Sequence, residues 1–316
     1  MKILIASKID PDAIERLKEN HEVVCAFGAK EDVLKEEIKD CDILVFRSGV
    51  QISADVMSAA PDLKLLIRAG SGLDNLDVDY VNQRGLQLIR VPGPGAKAVA
   101  EMTFALFLAL ARNLLEADQL TRQGRWAKNQ FSGHVLTGKV LGVVGAGNIG
   151  SVVAHLGVAW GMKVLACVEH PTQERAEQFE QAGIHLTTCE ELLAQSDFVS
   201  VHVPRKASNL NLIDEKMLSY MKPTAFLVNI ARGGIVDEQA LHRALSEGRL
   251  AGAALDVHTN EGEGKVSPLA GFKNVILTPH IGANTIDSQR EIGEIVVESV
   301  AAIKTEMDPV LVKADR

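Results

Sequence analysis

No CxxC pair and no metal-type spacing links the four cysteines, Cys25, Cys41, Cys167 and Cys189. Each lies in or beside an apolar segment, where a free thiol behaves as a small hydrophobe. A structural metal and a disulfide framework are therefore not expected. Positive charge is also short, with 33 Lys and Arg against 41 Asp and Glu, a net charge of -8 and a pI near 5.6. Nucleic acids and membrane surfaces need a dominant basic field, so neither is an expected partner, and only local basic sites for a small anion remain. No apolar run approaches the 18 residues or so that span a bilayer; the most apolar stretch is FALFLALA at 104–111. The amino terminus, MKILIASKID, reads as a first strand and not as a signal peptide, so a cytoplasmic location is expected. Low-complexity tracts are missing, and 47% hydrophobic content is that of a globular chain.

What is present is alternation. A chain of 316 residues exceeds the usual size of one core, which favours two domains. In the first ninety residues KILIA, EVVCAF, DILVF, LKLLIR and LQLIRV read as buried strands, separated by helical stretches such as PDAIERLKEN and EDVLKEEIKD. That order implies a parallel sheet with helices on both faces. VPGPG at 91–95 is the best internal boundary. A long helix is expected over roughly 97–123, apolar almost all the way round in its middle turns. Such a helix is buried on more than one side, either in a core or at a subunit contact, and a homodimer through this region is the expectation.

A second α/β series begins at GKVLGVVGAGNIG, where a strand runs into Gly145, Gly147 and Gly150 and apolar residues then recur at helical spacing. This is the context of a dinucleotide-binding turn. The first glycine permits the tight turn, the second lets backbone approach a pyrophosphate, and the third lets helix pack on strand; the phosphate charge then lies at a helix N-terminus. The next strand, KVLACVEH, ends in Glu169, whose carboxylate can bind ribose hydroxyls and repel a 2′-phosphate, favouring NAD over NADP. Downstream, NIARGGIVDE places Arg232 after a strand, AALDVHTNE places Asp256 at a strand end with Glu261 beyond it, and LTPHIGANT supplies His280. Ligands of open parallel sheets bind at the carboxyl ends of strands, where these segments should meet.

With these motifs, and with FRSGVQISADVM, IRAGSGLDNLDVD, VAEMTFAL and GAALDV, nearly the whole chain resembles the D-2-hydroxyacid dehydrogenase family, and within it the D-3-phosphoglycerate dehydrogenases. The resemblance implies two doubly wound α/β domains: a flavodoxin-like substrate domain of residues 1–95 plus 286–316 and an NAD-binding Rossmann domain of residues 96–285. It assigns catalysis to Arg232, Glu261 and His280. Cofactor contacts fall to Gly145, Gly147, Asn148, Ile149, Gly150, Glu169, Pro204, Ala231, Asp256 and Gly282, with Asp256 on the nicotinamide carboxamide. Substrate contacts fall to Arg47, Arg68 and Lys128, and to the backbone N–H groups of Gly70 and Ser71, whose loop suits an anion.

In the implied reaction His280 exchanges a proton with the substrate oxygen, Glu261 orients the imidazole and favours its charged form, and Arg232 holds the substrate carboxylate. The expected substrate pair is D-3-phosphoglycerate and 3-phosphohydroxypyruvate. The alternatives are an unphosphorylated acid (glyoxylate or hydroxypyruvate, glycerate, D-lactate) and, more remotely, an NADH-sensing corepressor-like protein. Several positions depart from the family pattern: Gly95 replaces an asparagine, Met102 a histidine and Val168 the usual aspartate, no proline follows Glu261, and Arg205 and Lys206 stand where an apolar residue and threonine are usual. No regulatory extension is expected after about residue 310.

Overall fold

Residues 1–303 are described by a computed structural model. They form two compact units, Met1–Gly95 with the chain from Asn284 onward, and Ala96–Ala283. The second crossing thus lies two residues before the boundary read from the sequence, and residues 304–316 of the assigned substrate domain lie outside the described residues.

The first unit alternates β1 (Lys2–Ile5), α1 (Pro11–Lys18), β2 (Glu22–Cys25), α2 (Glu31–Glu37), β3 (Ile43–Phe46), α3 (Ala54–Ser58), β4 (Leu65–Arg68), α4 (Val78–Arg84) and β5 (Gln87–Arg90). The sheet order is β2-β1-β3-β4-β5, parallel throughout. Local chemistry sets the helix ends: Asp10 caps α1 through the Ala13 N–H with Pro11 in its first turn, and Gly85 closes α4 at φ +70°. The outer strands β2 and β5 are only half-buried, which corrects the expectation of five buried strands; each is an edge with a neighbour on one side only.

α5 (Gly93–Ala111) begins inside VPGPG. Proline is tolerated in a first helical turn, so the predicted break is a helix start, and the division between units falls within that turn. α5 is the one described helix long and apolar enough to cross a membrane, yet 61% of its apolar window is buried. Phe104, Phe107 and Leu110 pack into the second unit's core with Phe198 and Phe226.

The single helix expected over 97–123 is two. Asn113, at φ 52°, separates α5 from α6 (Leu114–Arg122). The reason is tertiary: the returning chain donates the His134 N–H to the Ala111 carbonyl at 2.9 Å. Asparagine is among the few residues that accept the left-handed conformation this break requires.

The second unit continues with β6 (Val140–Val144), α7 (Asn148–Ala159), β7 (Lys163–Cys167), α8 (Gln173–Gln181), β8 (Ile184–Leu186), α9 (Cys189–Gln195), β9 (Phe198–Val201), α10 (Glu215–Tyr220), β10 (Phe226–Asn229), α11 (Glu238–Ser246), β11 (Gly252–Leu255) and β12 (Val275–Leu277). Its order is β8-β7-β6-β9-β10-β11-β12, also parallel. Sequence direction reverses between β6 and β9, the switch point where such sheets bind nucleotides. The central β9, β10 and β11 are fully buried.

α12 (Ile286–Ile303) returns to the first unit. It packs Ile292, Val296 and Val300 against Ile14 and Leu17, and Arg16 pairs with Glu294 at 2.6 Å. Gly293 permits this approach, since a Cβ there would stand 2.8 Å from that of Ala13.

Candidate active site

Between β6 and α7 the three glycines do different work. Gly145 has φ +89°, and a Cβ on it would meet Val203 at 2.6 Å. Gly150 lies against the turn, its Cβ position only 2.1 Å from the Gly145 carbonyl oxygen. Gly147, the N-cap of α7, faces open space with nothing within 4 Å, and no side chain caps the helix. A pyrophosphate fits this cradle: backbone can approach at Gly147, and the first N–H groups of a helix lack intrahelical partners. Asn148 is exposed beside it, whereas Ile149 packs on the core.

Glu169 lies two residues past β7 with its side chain 65% exposed, while Val168 packs on the core. The departure from the family pattern therefore moves the carboxylate one residue along and leaves it facing solvent. Two residues that sequence reasoning missed brace the turn. Arg175 donates to the Ala146 carbonyl at 2.6 Å, and its guanidinium lies over the Phe179 ring. His202 donates its backbone N–H to Val144; burial drives its imidazole down to about 3, so the ring is neutral near pH 7.

The catalytic candidates lie after three adjacent strands, Arg232 after β10, Glu261 after β11 and His280 after β12. His280 Nδ1 is 2.9 Å from Glu261 Oε2. A carboxylate only accepts, so Nδ1 donates and Nε2 is left for substrate. Burial opposes ionisation of Glu261, but the hydrogen bond from His280, the backbone N–H of His258 and the fields of both histidines outweigh it and hold the carboxyl below its ordinary range. Arg232 Nη1 donates to the Ala231 carbonyl at 2.7 Å. Buried Asn229 shapes that turn, accepting from the Ala231 N–H and donating to the Arg232 carbonyl.

Asp256 is 1% exposed and accepts from Thr278 Oγ1 at 2.5 Å, the Ile281 N–H at 2.9 Å and the Gly282 N–H at 2.7 Å. Its carbonyl also takes the His280 N–H at 2.7 Å. The structure thus gives Asp256 and Gly282 a role that the resemblance did not: they build the loop that holds His280 at φ 55°. Pro204 is exposed after β9, its carbonyl accepting from Asn209. Lys128 is exposed in a short 3₁₀ turn beside Trp126.

In the first unit, the guanidinium of buried Arg68 donates through Nε to the Gly72 carbonyl at 2.7 Å, and Arg90, not anticipated from sequence, donates to the Ser71 carbonyl. Arg68 therefore shapes the loop instead of standing open to a ligand. The Gly70 N–H turns back onto the Arg68 carbonyl at 2.8 Å. Of the two N–H groups expected to bind an anion, only that of Ser71 is unengaged among the described residues. Arg47 differs: its side chain has no partner among the described residues, and burial pulls its guanidinium below the ordinary arginine value.

Residues 104–282 match the sequence profile described as D-isomer specific 2-hydroxyacid dehydrogenase, NAD binding domain. The chain belongs to this family. A D-3-phosphoglycerate dehydrogenase of Methanocaldococcus jannaschii is 40% identical over 304 residues, 96% of this chain and 57% of that protein. The chain thus spans little more than half the length of the phosphoglycerate dehydrogenases it matches. A hydroxypyruvate reductase of Thermotoga maritima is 35% identical over 95% of this chain and 97% of its own length. Among solved structures, a D-lactate dehydrogenase from Aquifex aeolicus, complexed with NAD and lactic acid, superposes with a TM-score of 0.83 at 31% identity, covering 96% of this chain and 95% of its own.

Proposed function

We propose that the protein interconverts a D-2-hydroxy acid and its 2-keto acid with NAD(H), with D-3-phosphoglycerate and 3-phosphohydroxypyruvate as its preferred pair. The His280–Glu261 hydrogen bond carries the reading. When bound, the reduced cofactor supplies hydride to the substrate carbon. His280, charged and held by Glu261, gives the Nε2 proton to the keto oxygen; in the reverse direction neutral Nε2 takes it back. Arg232 presents a planar fork to the substrate carboxylate, and the α7 N-terminus with Gly147 receives the pyrophosphate.

Arg47 supports a phosphorylated substrate, because a half-buried guanidinium with no acid partner among the described residues is stabilised by an anion. A second reading, a hydroxypyruvate reductase, is favoured by the use of Arg68 on its own loop. NADH oxidation against a panel of 2-keto acids separates them. The first reading expects the highest kcat/KM with 3-phosphohydroxypyruvate, inhibition by inorganic phosphate, and a loss in Arg47→Ala confined to the phosphorylated substrate. Equal or better turnover of hydroxypyruvate, unchanged in Arg47→Ala, establishes the second.

The same proposal includes a cytoplasmic homodimer. With α5 mostly buried, the candidate contact moves to α6 and the segment beyond it, where Leu114, Leu115 and Trp126 are exposed. Sedimentation at micromolar concentration tests it, and a stable monomer refutes it.

A further inference from the structure

His258, between Asp256 and Glu261, touches the segments of all three catalytic candidates. Its backbone N–H donates to Glu261 Oε1 at 3.1 Å. Its ring Nε2 lies 3.0 Å from the carbonyl of Thr278, two residues before His280; a carbonyl only accepts, so Nε2 carries the proton. Its own carbonyl lies against Gly233, where a Cβ would stand 1.8 Å from the oxygen, and Gly233 adjoins Arg232. Ring Nδ1 is buried and without a partner. A buried orphan acceptor is destabilising, so the Nε2 donor is what this ring contributes.

We propose that His258 is a positioning residue, whose bond to Thr278 fixes the backbone N–H that aims Glu261 at His280. Asp256 locks the loop of His280 from below, but it does not reach Glu261 in any bond described above; His258 joins the two loops. The neighbouring segments carry other charged groups: Asp256 and Glu261 on its own stretch, Arg232 after β10, His280 after β12, and Glu238 at the start of α11, which accepts the Thr259 N–H at 2.6 Å. With the Thr278 bond removed, residue 258 is held on its carbonyl side only. Glu261 then loses one of its two donors and its fixed distance to His280, and the imidazolium loses part of its stabilisation. This inference rests on the proposed function only in calling the pair catalytic; the geometry is independent of it.

The test is a proton NMR titration of the His280 ring, assigned by its loss in His280→Gln, in the full-length wild type, His258→Phe and His258→Gln. Phenylalanine keeps the ring volume without the donor. Glutamine places an amide donor near the position of Nε2 and carries no charge, so it separates the hydrogen bond from the field of the ring. The expected result is a His280 midpoint lowered by about half a pH unit or more in His258→Phe and restored in His258→Gln, with NADH affinity by calorimetry unchanged in both. A folded His258→Phe with the wild-type midpoint overturns the proposal, and so does a shift that glutamine fails to restore. Should His258→Phe fail to fold, His258→Asn, whose shorter amide cannot reach Thr278, replaces it with the same expectation. Turnover is read separately. A wild type that reduces no 2-keto acid defeats the proposed function and leaves the midpoint result to decide this one; where turnover exists, kcat falls about tenfold in His258→Phe with KM little changed.

Discussion

Two glycines three residues apart should respond to the same substitution in opposite ways. At Gly150 an alanine Cβ would stand 2.1 Å from the Gly145 carbonyl oxygen and 3.2 Å from Val143. The nearest obstacle is backbone, so α7 must lift from the turn. Overpacking of a core typically costs about 1–3 kcal/mol, and a contact this short puts Gly150→Ala at the upper end. For a unit of this size about 3 kcal/mol lowers the melting temperature by roughly 6–12 °C. At Gly147 nothing lies within 4 Å of the Cβ position, and φ of −74° suits any residue. Gly147→Ala should therefore change stability by less than about 1 kcal/mol. Its methyl group occupies the space through which a pyrophosphate would reach the backbone, so NADH affinity should fall at least about tenfold, or 1.4 kcal/mol. Thermal unfolding without cofactor and calorimetric titration with NADH separate the two effects. Wild-type NADH affinity in a folded Gly147→Ala protein refutes the cradle, and wild-type stability in Gly150→Ala refutes the packing argument.

The remaining expectations concern the loops at the carboxyl ends of the strands. His280→Ala should cost about 10² to 10⁴ in turnover with NADH binding unchanged, and full activity in a folded variant removes His280 from the chemistry. Glu261→Gln keeps a hydrogen-bonding group but loses its charge, so the limb of the reduction pH profile governed by His280 should move to lower pH; a stationary limb contradicts the pairing. Glu169→Ala should weaken any preference for NADH over NADPH, measured as a ratio of dissociation constants, because the exposed carboxylate is what repels a 2′-phosphate. His202, held neutral with a folded value of about 3 against an ordinary 6.5, stabilises fully above pH about 6.5. That contribution drains away as the pH falls towards 3, up to a limit of about 5 kcal/mol, so His202→Gln should flatten the acid side of the stability profile, and an unchanged slope counts against it. Asp256→Asn leaves one acceptor for donors that now bond to two oxygens, and should cost about 1–3 kcal/mol together with turnover; activity and melting temperature at wild-type levels would show that the loop stands without it.

Both sheets were legible because buried parallel strands make short apolar runs and amphipathic helices separate them. The turn at Gly145, Gly147 and Gly150 was legible for a different reason, since Gly145 and Gly150 answer steric demands that a larger residue does not meet, and Gly147 leaves open the approach that a pyrophosphate needs. The helix break at Asn113 was not, because its cause is the return of residues 133–134 to the Ala111 carbonyl, a contact between positions more than twenty residues apart. Likewise Arg68 reads in sequence as a cation near an anion-binding loop, and only the fold shows its guanidinium turned onto Gly72. The Gly70 N–H was misjudged in the same way: a glycine-rich loop offers donors in general, and the local turn onto Arg68 decides which one is available. His258 and Thr278 carried no signal at all. A polar residue in a loop looks the same whether it is solvated or ties two loops together.

These misses have a common form. Residue types that do chemistry are recognisable by what they are, whereas residues that aim them are recognisable only by what they touch. His280 illustrates the dependence, because a non-glycine residue at φ 55° is strained, at a cost of roughly 1–3 kcal/mol. The strain is held by bonds on either side of the residue, from the Thr278 hydroxyl and the Ile281 and Gly282 N–H groups to the Asp256 carboxylate, and by the His280 N–H on the Asp256 carbonyl. A left-handed residue reverses the chain locally, and this turn is what brings Nδ1 to Glu261. The acid at 256 and the acid at 261 therefore serve one imidazole from two sides, the first through backbone and the second through the ring. Neither acid substitutes for the other, since only the first is fully buried and only the second accepts from the imidazole ring.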